Sequence, residues 1–421
     1  MAGAIGIHVS HDEQGRRIIA HPEADTITRE ALIGRARALV PALRQRARRC
    51  EEAERLLPET ARDFTEAGFF RIVQPKRFGG FEMGLDVLEE VVIEVGRGCG
   101  SSAWTLAILG GHSWWTALFP EEGQEEIFGE DGHVIMATNL SGNGRCRRVP
   151  GGYELSGRFI YLSGCDIANW LCVGAMLAEA GNSDPPWFYL AIRPEEATIL
   201  DDWHMLGLRG TGSKSVLVEK VFVPERRALP QALVQAQEMP GRYVHPNPLY
   251  ATPMLAFLSI ETTGAAVGIA LQAVEALEEL ALAKPVRRRE AEAGASGFQV
   301  SVPSFRRHLA EAKSKAEAAR TLLLNEARRL MATMREYAPA GRKMTPDEMT
   351  EYSLNCARLV DLCVQAVDHA FAAGGTSSTF DGHPLERCFR DIRTLSTHNV
   401  YRMDLMAERW SQARFPGAAQ T

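Results

Sequence analysis

Arginine, aspartate and histidine recur at helical spacing near the C-terminal end of this 421-residue chain. In Phe371–Asn399, FAAGGTSSTFDGHPLERCFRDIRTLSTHN, Arg387, Asp391, Thr394 and His398 stand at i, i+4, i+7 and i+11, one side of an α-helix. Pro384, after the turn residues Asp381-Gly382-His383, suits the first turn of that helix. Ahead of it, Gly374, Gly375 and Thr376 belong to a run of small residues that leaves backbone N–H groups open to a ligand. A small-residue loop feeding a helix with Arg, Asp and His on one stripe suits an anionic cofactor and an acid–base step. By themselves, Arg387 and Asp391 are more simply read as a helix ion pair, and His398 as a half-buried histidine.

These residues need a frame, and the hydrophobic patterning provides one in three parts. Residues 1–25 read as a loose leader. Apolar residues then recur at helical spacing from Thr28 to about Leu57. Pro58 opens a second helix ending near Ala67-Gly68, and Leu85–Val95, Ala103–Leu118 and a short segment after Pro120 continue the pattern. Residues 1–132 are therefore expected to form an N-terminal helical domain. From 133 to 230, short runs rich in β-branched and aromatic residues alternate with Gly, Asn, Asp and Pro: Val134–Ala137, Tyr153–Leu155, Arg158–Leu162, Trp170–Val173, Trp187–Ile192 and Val216–Val223. That predicts a middle β-domain. Residues 231–421 carry four helical blocks, about 256–283, 303–335, 347–373 and 384–410, broken at Pro285, Pro303, Pro346 and Pro384, and predict a C-terminal four-helix bundle. The expected class is α+β, mainly α.

Composition removes several functions. A net charge of −6 and only short arginine runs argue against a nucleic-acid partner or a basic membrane anchor. No stretch of transmembrane length is free of charge, and the N-terminus lacks a signal-peptide pattern, so no membrane partner is expected. The eight cysteines form no Cys-x-x-Cys pair; no metal site is expected, and a reducing cytoplasm suits them. Gly96-Arg97-Gly98-Cys99-Gly100 lacks the spacing and the preceding strand of a dinucleotide fingerprint.

Gly374-Gly375 followed by Glu386-Arg387-x-x-Arg390-Asp391-x-Arg393 resembles the C-terminal signature of the acyl-CoA dehydrogenase fold. Gly68 to Gly80, with Pro75 and Gly79-Gly80, resembles that fold's linker, and Gly207-Leu208-Arg209-Gly210-Thr211-Gly212-Ser213 its Gly-x-Arg-Gly-Thr-Gly-Ser turn. Dehydrogenases of the fold commonly carry a catalytic glutamate a few residues after the Arg-Asp pair. Here that place reads Thr397-His398-Asn399, which looks like the two-component flavin-dependent monooxygenases of the same fold. Ser156–Gly164, with Ser163-Gly164 where dehydrogenases have Thr-Asn, is similar to the same branch.

The resemblance implies an oxygenase component that takes reduced FMN (FMNH2) or FADH2 from a separate NAD(P)H:flavin reductase and uses O2 to hydroxylate a small aromatic substrate, phenolic or polyketide-type. It implies Ser163 at the flavin N5 edge, His398 beside the reacting carbon of the ring, and His112 as a base toward a phenolic oxygen, with Trp114 and Trp115 as an aromatic wall. Thr138 and Asn139 are implied beside the flavin ring, with Thr138 and Trp115 also toward the substrate. Arg209 is a candidate flavin contact, and one arginine of Arg287-Arg288-Arg289, with Arg288 at its centre, is implied at the flavin phosphate. A homotetramer is expected by analogy. An acyl-CoA dehydrogenase or oxidase is the alternative; Glu386 is a carboxylate in reach by sequence, but away from the usual place.

Overall fold

The computed structural model describes residues 7–178 and 185–417. Within the segment expected as a loose leader, the described residues form a small hairpin, β1 (His8–His11) and β2 (Arg17–Ala20); residues 1–6 of that segment lie outside the described residues. Ile19 is the reason: it is fully buried, and its N–H donates to the Arg77 carbonyl at 2.7 Å. Helices α1 (Arg29–Glu52), α2 (Pro58–Glu66), α3 (Leu85–Gly96), α4 (Gly100–Thr116) and α5 (Glu121–Phe128) follow. Thr28 caps α1 by accepting the Ala31 N–H, and Pro58 occupies the first turn of α2, as those residue types favour. The break expected over residues 96–102 shrinks to a tight turn, so α4 starts at Gly100.

The β-domain is one seven-stranded sheet: β3 (Met136–Val149), β4 (Gly152–Leu162), β5 (Trp170–Leu177), β6 (Trp187–Ile192), β7 (Thr198–Ile199), β8 (Lys214–Pro224) and β9 (Ala228–Pro230). Its order is β7-β8-β4-β3-β5-β6-β9, antiparallel except for β3 beside β5. Sequence patterning missed most of β3, because Ser141–Arg148 is rich in Gly, Asn and Arg, and it split β4 in two at Ser156-Gly157. Both strands are held by their neighbours rather than by local propensity. β3 pairs with β4 only from Arg145 to Val149, so its first half diverges from β4 toward α4.

Two short helices, α6 (Gln231–Gln235) and α7 (Gly241–Val244), lead into the bundle: α8 (Met254–Glu261), α9 (Thr263–Ala283), the short α10 (Arg288–Glu292), α11 (Pro303–Tyr337), α12 (Pro346–Gly374), α13 (Pro384–Ser396) and α14 (Met403–Arg414). The last expected block is thus two helices. Between them His398 caps a 3₁₀ turn, Asn399–Tyr401, so it lies past the helix that carries Arg387, Asp391 and Thr394. The segment Met254–Ala283 is apolar enough to cross a membrane by composition, yet 83% of its most apolar window is buried inside the protein.

The N-terminal helices and the bundle join where α3 crosses α9. Gly96 and Gly268 meet backbone to backbone; a Cβ on Gly268 would stand 2.6 Å from the Gly96 Cα. Substituting Gly268→Ala should therefore force the helices apart and cost roughly 1–3 kcal/mol, despite the better helix propensity of alanine. A urea midpoint equal to or above that of the parent protein would show that the crossing relaxes freely.

Candidate active site

Ser163 lies just beyond β4, where the strand is forced out of register. Pairing with β8 slips between Phe159 and Leu162, and Tyr161 takes a left-handed φ of 69°. Such a backbone is costly for a bulky residue and persists only when its surroundings impose it. Ser163 is buried and belongs to a row of hydroxyls. Its Oγ accepts from the Trp104 indole N–H at 3.0 Å and lies 2.7 Å from Ser213 Oγ, which is 2.7 Å from Thr211 Oγ1. Thr211 Oγ1 donates to the Leu208 carbonyl at 2.9 Å. The 3₁₀ turn Arg209–Thr211, just before Ser213, has left-handed residues on both flanks, Leu208 and Gly212. Asp391 pins it by accepting the Leu208 N–H at 2.6 Å. Burial pushes the Asp391 carboxyl up to about 7, against the pull of that N–H and of Arg387. Arg387 and Asp391 are both buried, and Asp391 anchors this turn.

His112 projects from the middle of α4. Its Nδ1 lies 3.1 Å from the Met136 carbonyl, which can only accept, so Nδ1 carries the hydrogen and Nε2 is the free basic nitrogen. Burial lowers its pKa to about 4, so the ring is neutral at pH 7. Nε2 faces Glu261 Oε2 at 3.7 Å. Glu261 is fully buried at the end of α8, and a second buried carboxyl, Glu89 of α3, accepts the Gly264 N–H at 2.7 Å. One oxygen of each carboxyl lacks a partner. Glycines make room for both: a Cβ on Gly111 would stand 1.9 Å from Glu261 Oε1, and one on Gly264 2.6 Å from Glu89 Oε2. Burial raises both carboxyls well above the ordinary range, with Glu261 adding to the effect on Glu89, and so favours their neutral form.

Trp115 points into the core beneath the sheet, its indole N–H on Cys172 Sγ at 3.4 Å and its ring edge-on to Tyr189. Trp114 stacks on Phe257. The aromatic wall around Ser163 is built by Trp104 instead. Its ring meets His398 edge-on, centroids 5.7 Å apart, and His398 in turn neighbours Tyr401 at 5.9 Å. Tyr401 shares its hydroxyl with Thr262. The His398 residue keeps a solvent-accessible surface while Trp104 and Tyr401 crowd its ring. That crowding lowers its pKa from 6.5 and favours the neutral imidazole.

The remaining candidates spread along the same seam. Thr138 is buried on β3 opposite Cys172, and the Asn139 amide bridges the opening between β3 and β4 by donating to the Ile160 carbonyl at 2.6 Å. Arg209 reaches Glu54 at 3.2 Å and lines a cavity of about 410 Å³ with Arg48, Leu206 and Arg390; its Nε is buried without a partner. Gly374, Gly375 and Thr376 form the α12 terminus and the start of a 3₁₀ turn, with Gly375 at a left-handed φ of 66°. Lys284 Nζ holds this loop through the Gly374 carbonyl (3.0 Å) and Ser377 Oγ (2.7 Å). Of the three arginines, Arg287 lies against the loop, 2.7 Å from where a Gly375 Cβ would be. Arg288 pairs with Glu292, and its side chain is 93% exposed.

The family model for the acyl-CoA dehydrogenase C-terminal domain matches residues 261–403. The chain is 33% identical over 382 residues to a pigment production hydroxylase of Rhodococcus sp. (strain ATCC 21145), covering 91% of this chain and 95% of that protein. It is 32% identical to the flavin-dependent monooxygenase oxygenase subunit HsaA of Rhodococcus jostii (strain RHA1), covering 86% and 92%. The chain belongs to the flavin-dependent monooxygenase oxygenase-subunit family. The fold agrees: the crystal structure of the HsaA monooxygenase from M. tuberculosis superposes with a TM-score of 0.83 at 28% identity, covering 92% of this chain and 98% of that one. The acyl-CoA dehydrogenase-like architecture expected from the sequence is therefore the one adopted.

In this monooxygenase several polar groups at the seam escape a motif reading. Glu261 is the lone carboxyl of an apolar helix, and that isolation is its only signal, whereas Glu89 shares α3 with Asp86, Glu90 and Glu94 and differs from them in no local pattern. Trp104 stands eight residues before His112, on the same face of α4. The buried carboxyls carry a pH signature. An acid whose folded pKa is raised is held protonated in the native state, while the unfolded chain ionises from about pH 4.5 upward. Stability is therefore fullest below that pH and is lost as pH rises toward the raised folded value. Glu261→Gln removes this penalty and leaves an N–H to face His112 Nε2. The variant should gain on the parent protein by roughly 1 kcal/mol or more between pH 5 and pH 8. Parallel stability curves across that range would mean that Glu261 is ionised in the native state.

Proposed function

We propose that this oxygenase component binds reduced flavin with the N5 edge at Ser163 and hydroxylates a small aromatic substrate, phenolic or polyketide-type, between His398, Trp104 and the His112–Thr138 side of the seam. One observation carries the reading: Ser163, just past the strained Tyr161 and fixed by Trp104, keeps one hydroxyl lone pair without a protein partner, and the same Trp104 lies edge-on to the His398 ring. When bound, reduced flavin supplies the electrons that activate O2, one atom entering the substrate and the other leaving as water.

The chain's own groups fit such a ligand. Ser163 orients the ring edge, and neutral His398 offers a polar N–H or lone pair at the accessible side. His112 Nε2 is a free base whose proton acceptance Glu261 would modulate. Lys284, Arg287 and the left-handed Gly375 make a basic cradle suited to a phosphate, which favours Arg287 over Arg288 for that role. Arg209, with its unpartnered Nε, remains a second candidate for the flavin's polar groups. FMN and FAD share that phosphate chemistry. Large apolar residues are exposed around the cradle, Leu282 (68%), Phe298 (48%) and Phe380 (71%), which supports a second subunit closing it and hence the homotetramer. A separate NAD(P)H:flavin reductase and a cytoplasmic setting complete the reading.

Neither carboxyl that could serve as the base for dehydrogenating an acyl-CoA, Glu386 or Glu261, is free to do so. Both Glu386 oxygens are engaged by Arg390, and burial raises the Glu261 carboxyl well above its ordinary range, which disfavours its basic form.

Two substitutions test the assignment. Ser163→Ala should raise the share of consumed reduced flavin that ends as hydrogen peroxide rather than hydroxylated product, by roughly tenfold as one hydrogen bond is lost. His398→Ala should slow the oxygen reaction of the reduced complex with the fold unchanged by circular dichroism. Unaltered coupling in the first and an unaltered rate in the second would remove both residues from the site.

A further inference from the structure

The direction of the hydroxyl row at Ser163 follows from what its last member can do. The Leu208 carbonyl cannot donate, so the Thr211 hydroxyl hydrogen is committed to it at 2.9 Å. Trp203 Nε1 at 3.2 Å and the Thr211 N–H at 3.1 Å also point at that oxygen and keep it a pure acceptor. With its hydrogen spent, Thr211 Oγ1 can only accept from Ser213, and Ser213, having donated, can only accept from Ser163. The Ser163 hydrogen therefore runs into the protein. Trp104 Nε1–H fills one of its lone pairs. What Ser163 offers outward is a single lone pair, an acceptor and not a donor. All three hydroxyls are buried, so water does not readily scramble the order.

We infer that Thr211 and Ser213 are positioning residues that polarise Ser163, so that it accepts from an N–H and thereby selects reduced over oxidised flavin. The inference rests on the reading that the N5 edge of the ring lies at Ser163. Reduced flavin carries a hydrogen on N5 and can donate to the outward lone pair. Oxidised flavin presents a lone pair there, and meeting it with a hydrogen bond would require all three hydroxyls to turn together, away from the Leu208 carbonyl. Because bonds in such a row polarise one another, the reversal is collective. The turn Gly207–Ser213 thus has a chemical role as well as a structural one.

The test is the ratio of dissociation constants for oxidised and reduced FMN, measured anaerobically by fluorescence or absorbance titration. Ser213→Ala frees the Ser163 hydrogen to turn outward, and Thr211→Val removes the acceptor that orders the row. Each should lower the oxidised-to-reduced ratio by about tenfold, the worth of one hydrogen bond. Thr211→Ser keeps the hydroxyl and should keep the ratio. A structural loss would weaken both redox forms alike and leave the ratio unmoved. Ser163→Ala separates the two levels of the claim. Should it weaken reduced FMN while Ser213→Ala and Thr211→Val leave the ratio at the parent value, the polarised row is wrong and the docking stands. Should Ser163→Ala change neither affinity, the flavin edge lies elsewhere and both fall.

Discussion

Helix α4 has no solvent face, and that constraint organises the molecule. Apart from Ile108, every residue from Gly100 to Thr116 is buried. A helix enclosed on all sides must be apolar around its circumference or must satisfy each polar group internally. This one does both. Its apolar residues pack against α3, α9 and the sheet. Its polar groups are spent on specific bonds, with Trp104 donating to Ser163, His112 to the Met136 carbonyl and Thr116 to the His112 carbonyl. Gly111 leaves room where the α8 carboxyl approaches. The three structural parts are thereby registered against one rod, and the side chains proposed for catalysis inherit its rigidity.

The cost of that arrangement is concentrated in the polar seam. Two carboxyls raised well above their ordinary range, a neutral histidine and an aspartate raised to about 7 are kept from water. Each is destabilising unless it is bonded or protonated. A stretch of sequence selected only for stability would replace them with Leu or Met. Their retention, with glycines cut to fit them, marks the seam as the place where stability yields to chemistry.

Much of this was legible in the sequence, and what was missed has physical reasons. The three-part order and the proline-marked helix starts could be named, because caps and prolines write themselves into short windows; Ser163, His112 and His398 stand out as site candidates only through the family resemblance of their motifs. The long strand β3 could not, since Ser141–Arg148 has poor β-propensity and is held by β4 and β5. Trp115 carries the same letters as an active-site aromatic, but whether an indole faces Cys172 or a ligand is decided by how α4 is rotated against the sheet. His398 fits a helical stripe on paper; the chain turns at Thr397 and places it by capping instead. The Glu261–His112 pairing joins residues 149 apart, and only tertiary structure can bring them together.

An oxygenase component of this family draws on externally supplied reduced flavin. The most direct measurement is a single turnover. The protein is loaded anaerobically with reduced FMN, mixed with ¹⁸O₂ and a panel of simple phenols, and the products are analysed by mass spectrometry. One ¹⁸O atom per hydroxylated ring, in a reaction that needs the reductase only as a source of reduced flavin, is the predicted result. Quantitative hydrogen peroxide with no labelled product from any phenol, together with bleaching of bound oxidised flavin by an acyl-CoA, would contradict it.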